Sequence, residues 1–96
     1  MQERYFQKKL IQKLHKMFPG CIVLKNDPNY IQGIPDLIVL FKNKWAALEC
    51  KDNKTAHKQA NQELYVEQMN TMSFARFIFP ENEEEVLHEL SQLFEP

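Results

Sequence analysis

Apolar residues recur at two different spacings along the chain, and each change of spacing predicts a change of secondary structure. Near the amino terminus they stand three or four positions apart between lysines and glutamines, which is typical of an amphipathic helix. Later they form short runs bounded by turn-forming residues, which is typical of strands. In chain order, the predicted elements are a helix over 3–18, strands over 21–24, 36–41 and 45–51, a helix over 56–70, a strand over 73–79 and a helix over 81–94.

The same pattern predicts how these elements pack. The run 36–41 is apolar after its first residue, so we expect a central strand that is covered on both faces. Only residues 42–44 separate it from the next strand, and a connection this short makes the pair antiparallel. The predicted fold class is α/β: one domain over residues 1–96, with a mixed central sheet, the order αβββαβ and an extra carboxy-terminal helix. The helical residues expected to face inward are Ala60, Leu64 and Met69 in the second helix and Val86, Leu87, Leu90 and Phe94 in the last.

Composition narrows the possible classes of protein. With 96 residues, of which 44% are hydrophobic and 26% charged, the chain suits one globular domain. No apolar run approaches the roughly 20 residues that span a bilayer, and no apolar signal-peptide segment follows the first basic residues. We therefore expect a cytoplasmic protein without a membrane partner. Cys21 and Cys50, like the three scattered histidines, lack zinc-site spacing; reduced thiols are expected, although one disulfide is conceivable.

The charge is distributed unevenly although the net charge is only −1. Residues 1–48 contain eight Lys or Arg and three acids, whereas residues 49–96 contain four Lys or Arg and ten acids. A cationic front and an anionic back would orient the molecule on a polyanion. The alternative is a solvated helix face at each end of the chain.

Two acids and a lysine stand at the ends of the two most apolar strands. Burying charge is costly unless the charge is paired or bound to a metal, so Asp36, Glu49 and Lys51 indicate a site. Glu49 and Lys51 point to the same face of their strand, and a tight turn brings Asp36 close to them. Two carboxylates make an oxygen site that suits Mg²⁺, and the Cys50 carbonyl could add a backbone ligand. With an ammonium group alongside, this set suits hydrolysis of a phosphodiester.

The segment Pro35-Asp36, twelve intervening residues and Glu49-Cys50-Lys51 resemble the PD-(D/E)XK signature of restriction-endonuclease-like nucleases. Residues 33–37, with the sequence GIPDL, are similar to the GxPDL element of the VRR-NUC branch, the virus-type replication-repair nucleases. In that branch a helix carrying a glutamine follows the ExK strand; Gln62 matches this position, with Gln59 as a rival. The order αβββαβ also agrees, so the resemblance spans nearly the whole chain.

The resemblance implies a role for each of these residues. Asp36, Glu49 and the Cys50 carbonyl would hold Mg²⁺ or Mn²⁺, and Lys51 would be the catalytic lysine. Gln62 would orient Lys51 or a phosphate. Glu3 would approach the metal from the first helix, directly or through water. The residues expected to contact DNA are Lys54, Lys58, Lys9, Lys13 and Tyr30, with a solvated helix face as the alternative for the helical lysines and a packing role as the alternative for Tyr30.

The resemblance implies a metal-dependent, structure-selective DNA endonuclease in a bacterial or phage-infected cell. A domain of this size carries one site and has little free surface, so we expect a homodimer whose paired cuts suit branched DNA such as a Holliday junction. Nicking or flap cutting beside a helicase partner is the alternative within this class.

Three other interpretations compete with a nuclease. One is an inactive or partner-dependent DNA-binding module on the same fold. Another is an interaction domain whose acidic last helix docks on a basic partner. The third is purely structural, with Pro35-Asp36 forming a turn at the start of a strand and Glu49 and Lys51 forming an ion pair across an exposed edge.

Overall fold

The computed structural model describes residues 2–96 and contains three helices and four strands in the predicted order. The elements are α1 (Glu3–Met17), β1 (Ile22–Lys25), β2 (Leu37–Phe41), β3 (Lys44–Cys50), α2 (Ala60–Met72), β4 (Ala75–Ile78) and α3 (Glu83–Phe94). Most boundaries lie within two residues of the prediction, whereas α2 begins four residues later than predicted. Within the described residues, no helix has both the length and the apolar character needed to cross a membrane.

The four strands form one mixed sheet in the order β1-β2-β3-β4. The first three are antiparallel neighbours, and β3 and β4 are parallel because α2 connects them as a crossover. The β2–β3 hairpin turns at residues 42 and 43, where Lys42 adopts a left-handed φ of 57°. The predicted mixed α/β sheet is therefore confirmed.

One face of the sheet carries the hydrophobic core. Leu37, Val39 and Phe41 of β2 point to this face, where α1 and α3 cover them. The rings of Phe18, Phe41 and Phe94 meet with centroids 5.0–5.5 Å apart and tie the end of α1 to the sheet and α3. The predicted inward residues of the last helix are all buried: Val86, Leu87, Leu90 and Phe94.

The opposite face is covered only in part, because α2 lies over β3 and β4. The expectation that β2 is covered on both faces is therefore wrong. Ile22, Leu40 and Trp45 form a row across the first three strands on this face, and Ile22 is 55% and Leu40 36% exposed. The outer half of this face is consequently an uncovered apolar surface, which we call the apolar strip.

The predicted inward face of the second helix is also wrong. Ala60 is exposed, Leu64 is 57% exposed, and Met69 is only partly buried. No residue of α2 is fully buried. The helix is rotated so that Gln62, rather than Leu64, faces the sheet. The contacts at the amino terminus of α2, described below, account for this rotation.

Candidate metal and catalytic site

The register of the β2–β3 hairpin brings Asp36 and Glu49 together. Leu37 pairs with Leu48, so the residues just beyond that pair lie next to each other at one end of the sheet. The backbone N–H of Asp36 donates to Glu49 Oε1 at 3.2 Å, and Asp36 Oδ2 accepts from the Cys50 N–H at 2.9 Å. Each carboxylate is thus fixed by the backbone of the other strand. Asp36 therefore joins the two strands through its side chain, in addition to the turn that the purely structural interpretation assigns to Pro35-Asp36.

Lys51 and Gln62 complete a hydrogen-bonded group with Glu49. Lys51 Nζ donates to Gln62 Oε1 at 2.8 Å, and Gln62 Nε2 donates to Glu49 Oε2 at 3.0 Å. Lys51 Nζ also lies 3.9 Å from Glu49 Oε2. Glu49 is 3% and Lys51 8% exposed, so the pair is buried rather than on an exposed edge. The structure thereby contradicts the exposed ion pair of the purely structural interpretation.

The amino terminus of α2 determines which glutamine enters this group. Gln59 and Gln62 form a capping box: the Gln59 side chain accepts from a backbone N–H, and the Gln59 N–H donates to Gln62 Oε1 at 3.1 Å. Gln62 therefore contacts Lys51 and Glu49, whereas its rival Gln59 contacts the helix backbone. The spacing Gln59-x-x-Gln62 is the sequence signal that could have placed the start of α2 correctly.

A close approach at Gly33 brings α2 to the hairpin. Gly33 has a φ of 90°, and a Cβ built on it would overlap the Cβ of Asn61 in the first turn of α2. Glycine accepts this φ without the steric cost that other residues incur. Gly33 therefore lets the loop before β2 pack directly against the helix that carries Gln62.

Acidic side chains outnumber basic ones in the site, and Glu49 is the most deeply buried of them. Burial raises the pKa of Glu49 to about 8; the nearby Asp36 raises it further, while Lys51 and the hydrogen bond from the Asp36 N–H oppose the shift. Burial also raises the pKa of Asp36, against the opposing effects of the Cys50 N–H and Lys51. Burial and then Asp36 raise the pKa of Glu3, at the start of α1. Among residues 2–96, Lys51 is thus the one cation that lowers the pKa values of all three acids, Glu3, Asp36 and Glu49.

The donor atoms fit a hard divalent cation. Asp36 Oδ1 accepts no hydrogen bond from residues 2–96, and each Glu49 oxygen accepts one, so lone pairs remain on both carboxylates. Burial and the two acids raise the pKa of the Cys50 thiol, which therefore stays protonated and is a poor ligand. Oxygen donors with an excess of negative charge suit Mg²⁺ or Mn²⁺. The Cys50 carbonyl and Glu3 stay predictions as further ligands.

No cluster of three or more His, Cys, Asp or Glu side chains that could hold a metal occurs among residues 2–96. The acids that hydrogen bonds hold next to each other across the hairpin are a pair, Asp36 and Glu49. Mg²⁺ is commonly held by one or two carboxylates together with waters and substrate phosphates. A pair is therefore sufficient for the predicted chemistry. Cys21 and Cys50 are free and buried.

The lysines predicted to contact DNA lie in different surroundings. Lys13 Nζ is 2.7 Å from Glu83 Oε1, so this lysine is engaged in an ion pair between α1 and α3. Lys9 Nζ lies 5.5 Å from the centroid of the Tyr5 ring.

The other predicted DNA contacts lie after the hairpin or in loops. Lys58 Nζ lies 4.7 Å from the centroid of the Phe77 ring. Lys54 is exposed in the segment between β3 and α2. Tyr30, 84% exposed in the loop before β2, packs little and is not a core anchor.

Comparisons with known proteins add nothing to this geometry. The chain matches no protein-family model, no curated protein and no solved structure. The kinship with the VRR-NUC nucleases stays a prediction, which rests on the motif and on the site described above.

Proposed function

We propose that the protein is a Mg²⁺- or Mn²⁺-dependent DNA nuclease of the PD-(D/E)XK type, related to the VRR-NUC branch. The observation that carries the proposal is the convergence of Asp36 and Glu49 beside the buried Lys51, which Gln62 fixes to Glu49. The element order and the mixed sheet support it. An inactive scaffold has no physical need for a buried Glu49 beside a partly buried Asp36, because desolvation of carboxylates is costly.

Four side chains have separate roles in the proposed hydrolysis. Asp36 and Glu49 would hold the cation, which supplies Lewis-acid activation of water and neutralises phosphate charge when it is bound. Lys51 has three N–H donors, one of which goes to Gln62. The other two N–H groups donate to no acceptor within residues 2–96 and can reach a phosphate oxygen or the attacking water. Gln62 holds the ammonium group in place and lowers the cost of ordering it during the reaction.

The substrate we propose is branched DNA, which a homodimer would cut at two related positions. The support is physical. One 96-residue chain carries one such site, and a two-fold dimer supplies two. The apolar strip provides a surface on which a second copy can pack, since contiguous exposed apolar surface commonly marks an interface. Flap cutting or nicking with a helicase partner is the alternative within the proposed class.

The test is a cleavage assay on labelled linear, flap and four-way-junction DNA, with Mg²⁺, Mn²⁺ or EDTA. Wild type is compared with Asp36→Asn, which keeps an oxygen for the Cys50 N–H and so preserves the fold. We expect metal-dependent paired cuts in the junction by wild type, and no cleavage by the variant. Normal cutting by Asp36→Asn contradicts the site. Binding without cleavage on every substrate favours the inactive or partner-dependent binding module.

A further inference from the structure

A groove of about 690 Å³ runs between the first half of α1 and the edge strand β1. Its lining includes Arg4, Tyr5, Lys8, Ile11, Gln12 and Lys25, and contains no acidic side chain. Arg4, Lys8 and Lys25 are exposed, and Tyr5 is half exposed. The groove therefore has basic side chains on both sides and the apolar surfaces of Tyr5 and Ile11 between them.

The cations of this groove are not neutralised by the protein. Arg4, Lys8 and Lys25 have no carboxylate within 4 Å among residues 2–96. Within this described part of the chain, other surface cations are paired in some cases, as Lys13 is, and unpaired in others, as Lys16 is. What distinguishes the groove is that three unpaired cations line one concave surface without an acidic side chain.

The groove also leads to the candidate site. Lys25 pairs with Leu37, which follows Asp36 directly, and the next backbone N–H, that of Asn26, donates to the Asp36 carbonyl at 2.8 Å. At its other wall, Arg4 follows Glu3, the acid whose pKa Asp36 raises. Arg4 and Lys8 are one helical turn apart, so their side chains lie on the same face of α1.

We propose that this groove binds the backbone of a nucleic-acid strand on its way to Asp36 and Glu49. Arg4, Lys8 and Lys25 contact its phosphates, and the Tyr5 ring gives a base a surface on which to stack. The direction of the strand toward the carboxylates rests on the proposed nuclease function; the binding of phosphates does not. The sequence pattern favoured Lys9 and Lys13 and did not indicate this set, because Lys25 comes close to Arg4 and Lys8 only in the folded chain.

The test measures binding without cleavage, by fluorescence anisotropy of a labelled 20-nucleotide single strand and of the matching duplex in EDTA. The variants are Lys8→Ala and Lys25→Ala. The matched control is Lys16→Ala, which removes an equally exposed lysine from the same helix but outside the groove. A melting curve for each variant checks the fold, and Lys8→Arg should restore binding.

Each groove variant should lower the slope of log affinity against log salt by about 0.7–0.9, whereas the control leaves it unchanged. The loss of affinity should accordingly be about threefold larger at 50 mM than at 200 mM salt. An equal effect of Lys16→Ala, unchanged slopes in the groove variants, or no binding by wild type would each overturn the proposal. Groove-dependent binding by a protein that cuts no substrate would keep it and refute the nuclease instead.

Discussion

Replacing Glu49 by glutamine should remove a pH dependence from the stability of the metal-free protein. Burial raises the pKa of Glu49 from 4.5 to about 8, so between these values the folded protein holds a proton that the unfolded chain has released. The contribution of Glu49 to the stability of the wild type is therefore fully present below about pH 4.5 and is lost as the pH rises from there through about 8. At about 1.4 kcal/mol per pKa unit, the loss is on the order of 3–5 kcal/mol.

The variant also carries a cost that does not depend on pH. The side-chain oxygen of the introduced glutamine can still accept from the Asp36 N–H. Its amide nitrogen then faces Gln62 Nε2, which in the wild type donates to Glu49, so that two N–H donors meet without an acceptor. One mismatched buried donor costs about 1–3 kcal/mol. We therefore expect Glu49→Gln to be less stable than wild type near pH 5 and at least as stable near pH 9.

Urea unfolding followed by circular dichroism, in EDTA at pH 5, 7 and 9, measures the difference directly. Asp36 and Glu3 titrate in both proteins, so their contributions largely cancel when the two are subtracted. Adding Mg²⁺ at pH 9 should then stabilise wild type and leave Glu49→Gln unaffected, because a ligand stabilises only the state that binds it. If the free energy of unfolding changed with pH in the same way for both proteins, the raised pKa of Glu49 and its attribution to burial would be refuted.

Four further substitutions test other parts of the molecule. Gly33→Ala and Gly20→Ala both place alanine at a φ near 90°, which lowers stability by roughly 1–2 kcal/mol. Only at position 33 does the added Cβ also overlap Asn61. Urea unfolding should therefore show an additional loss of about 1–3 kcal/mol for Gly33→Ala. Lys51→Ala should lower the cleavage rate by roughly 10²–10³-fold while calorimetry still detects Mg²⁺ binding; an unfolded variant would show that the lysine is structural. Leu40→Lys should convert a dimer to a monomer in analytical ultracentrifugation, and a wild type that is monomeric at micromolar concentration contradicts the dimer.

The sequence predicted the site hairpin because its signal is local. A tight turn fixes the register of two adjacent strands, and register determines that Asp36 lies beside Glu49. Alternation along β3 then places Lys51 on the same face as Glu49. The apolar face of the last helix was equally predictable, since its period is strong and the core requires it.

The parts that could not be predicted depend on contacts between distant segments. The rotation of α2 follows from its capping box and from the approach of Asn61 to Gly33, and neither is visible in the hydrophobic pattern, where Leu64 is the natural inward residue. The ion pair of Lys13 with Glu83 likewise joins residues 70 positions apart. Clusters of charge in a sequence therefore do not reveal which cations stay free for a ligand.

During synthesis the two carboxylates leave the ribosome well before the residues that complete their surroundings. The Lys51 N–H donates to the carbonyl of Ile78, and Gln62 belongs to a helix that must cross over before β4 can pair. A nascent chain that ends before residue 78 contains both acids, Lys51 and Gln62, but lacks the carbonyl that accepts from the Lys51 backbone N–H and the strand that pairs with β3. If the protein cuts DNA, a fragment that stops before β4 should therefore be inactive.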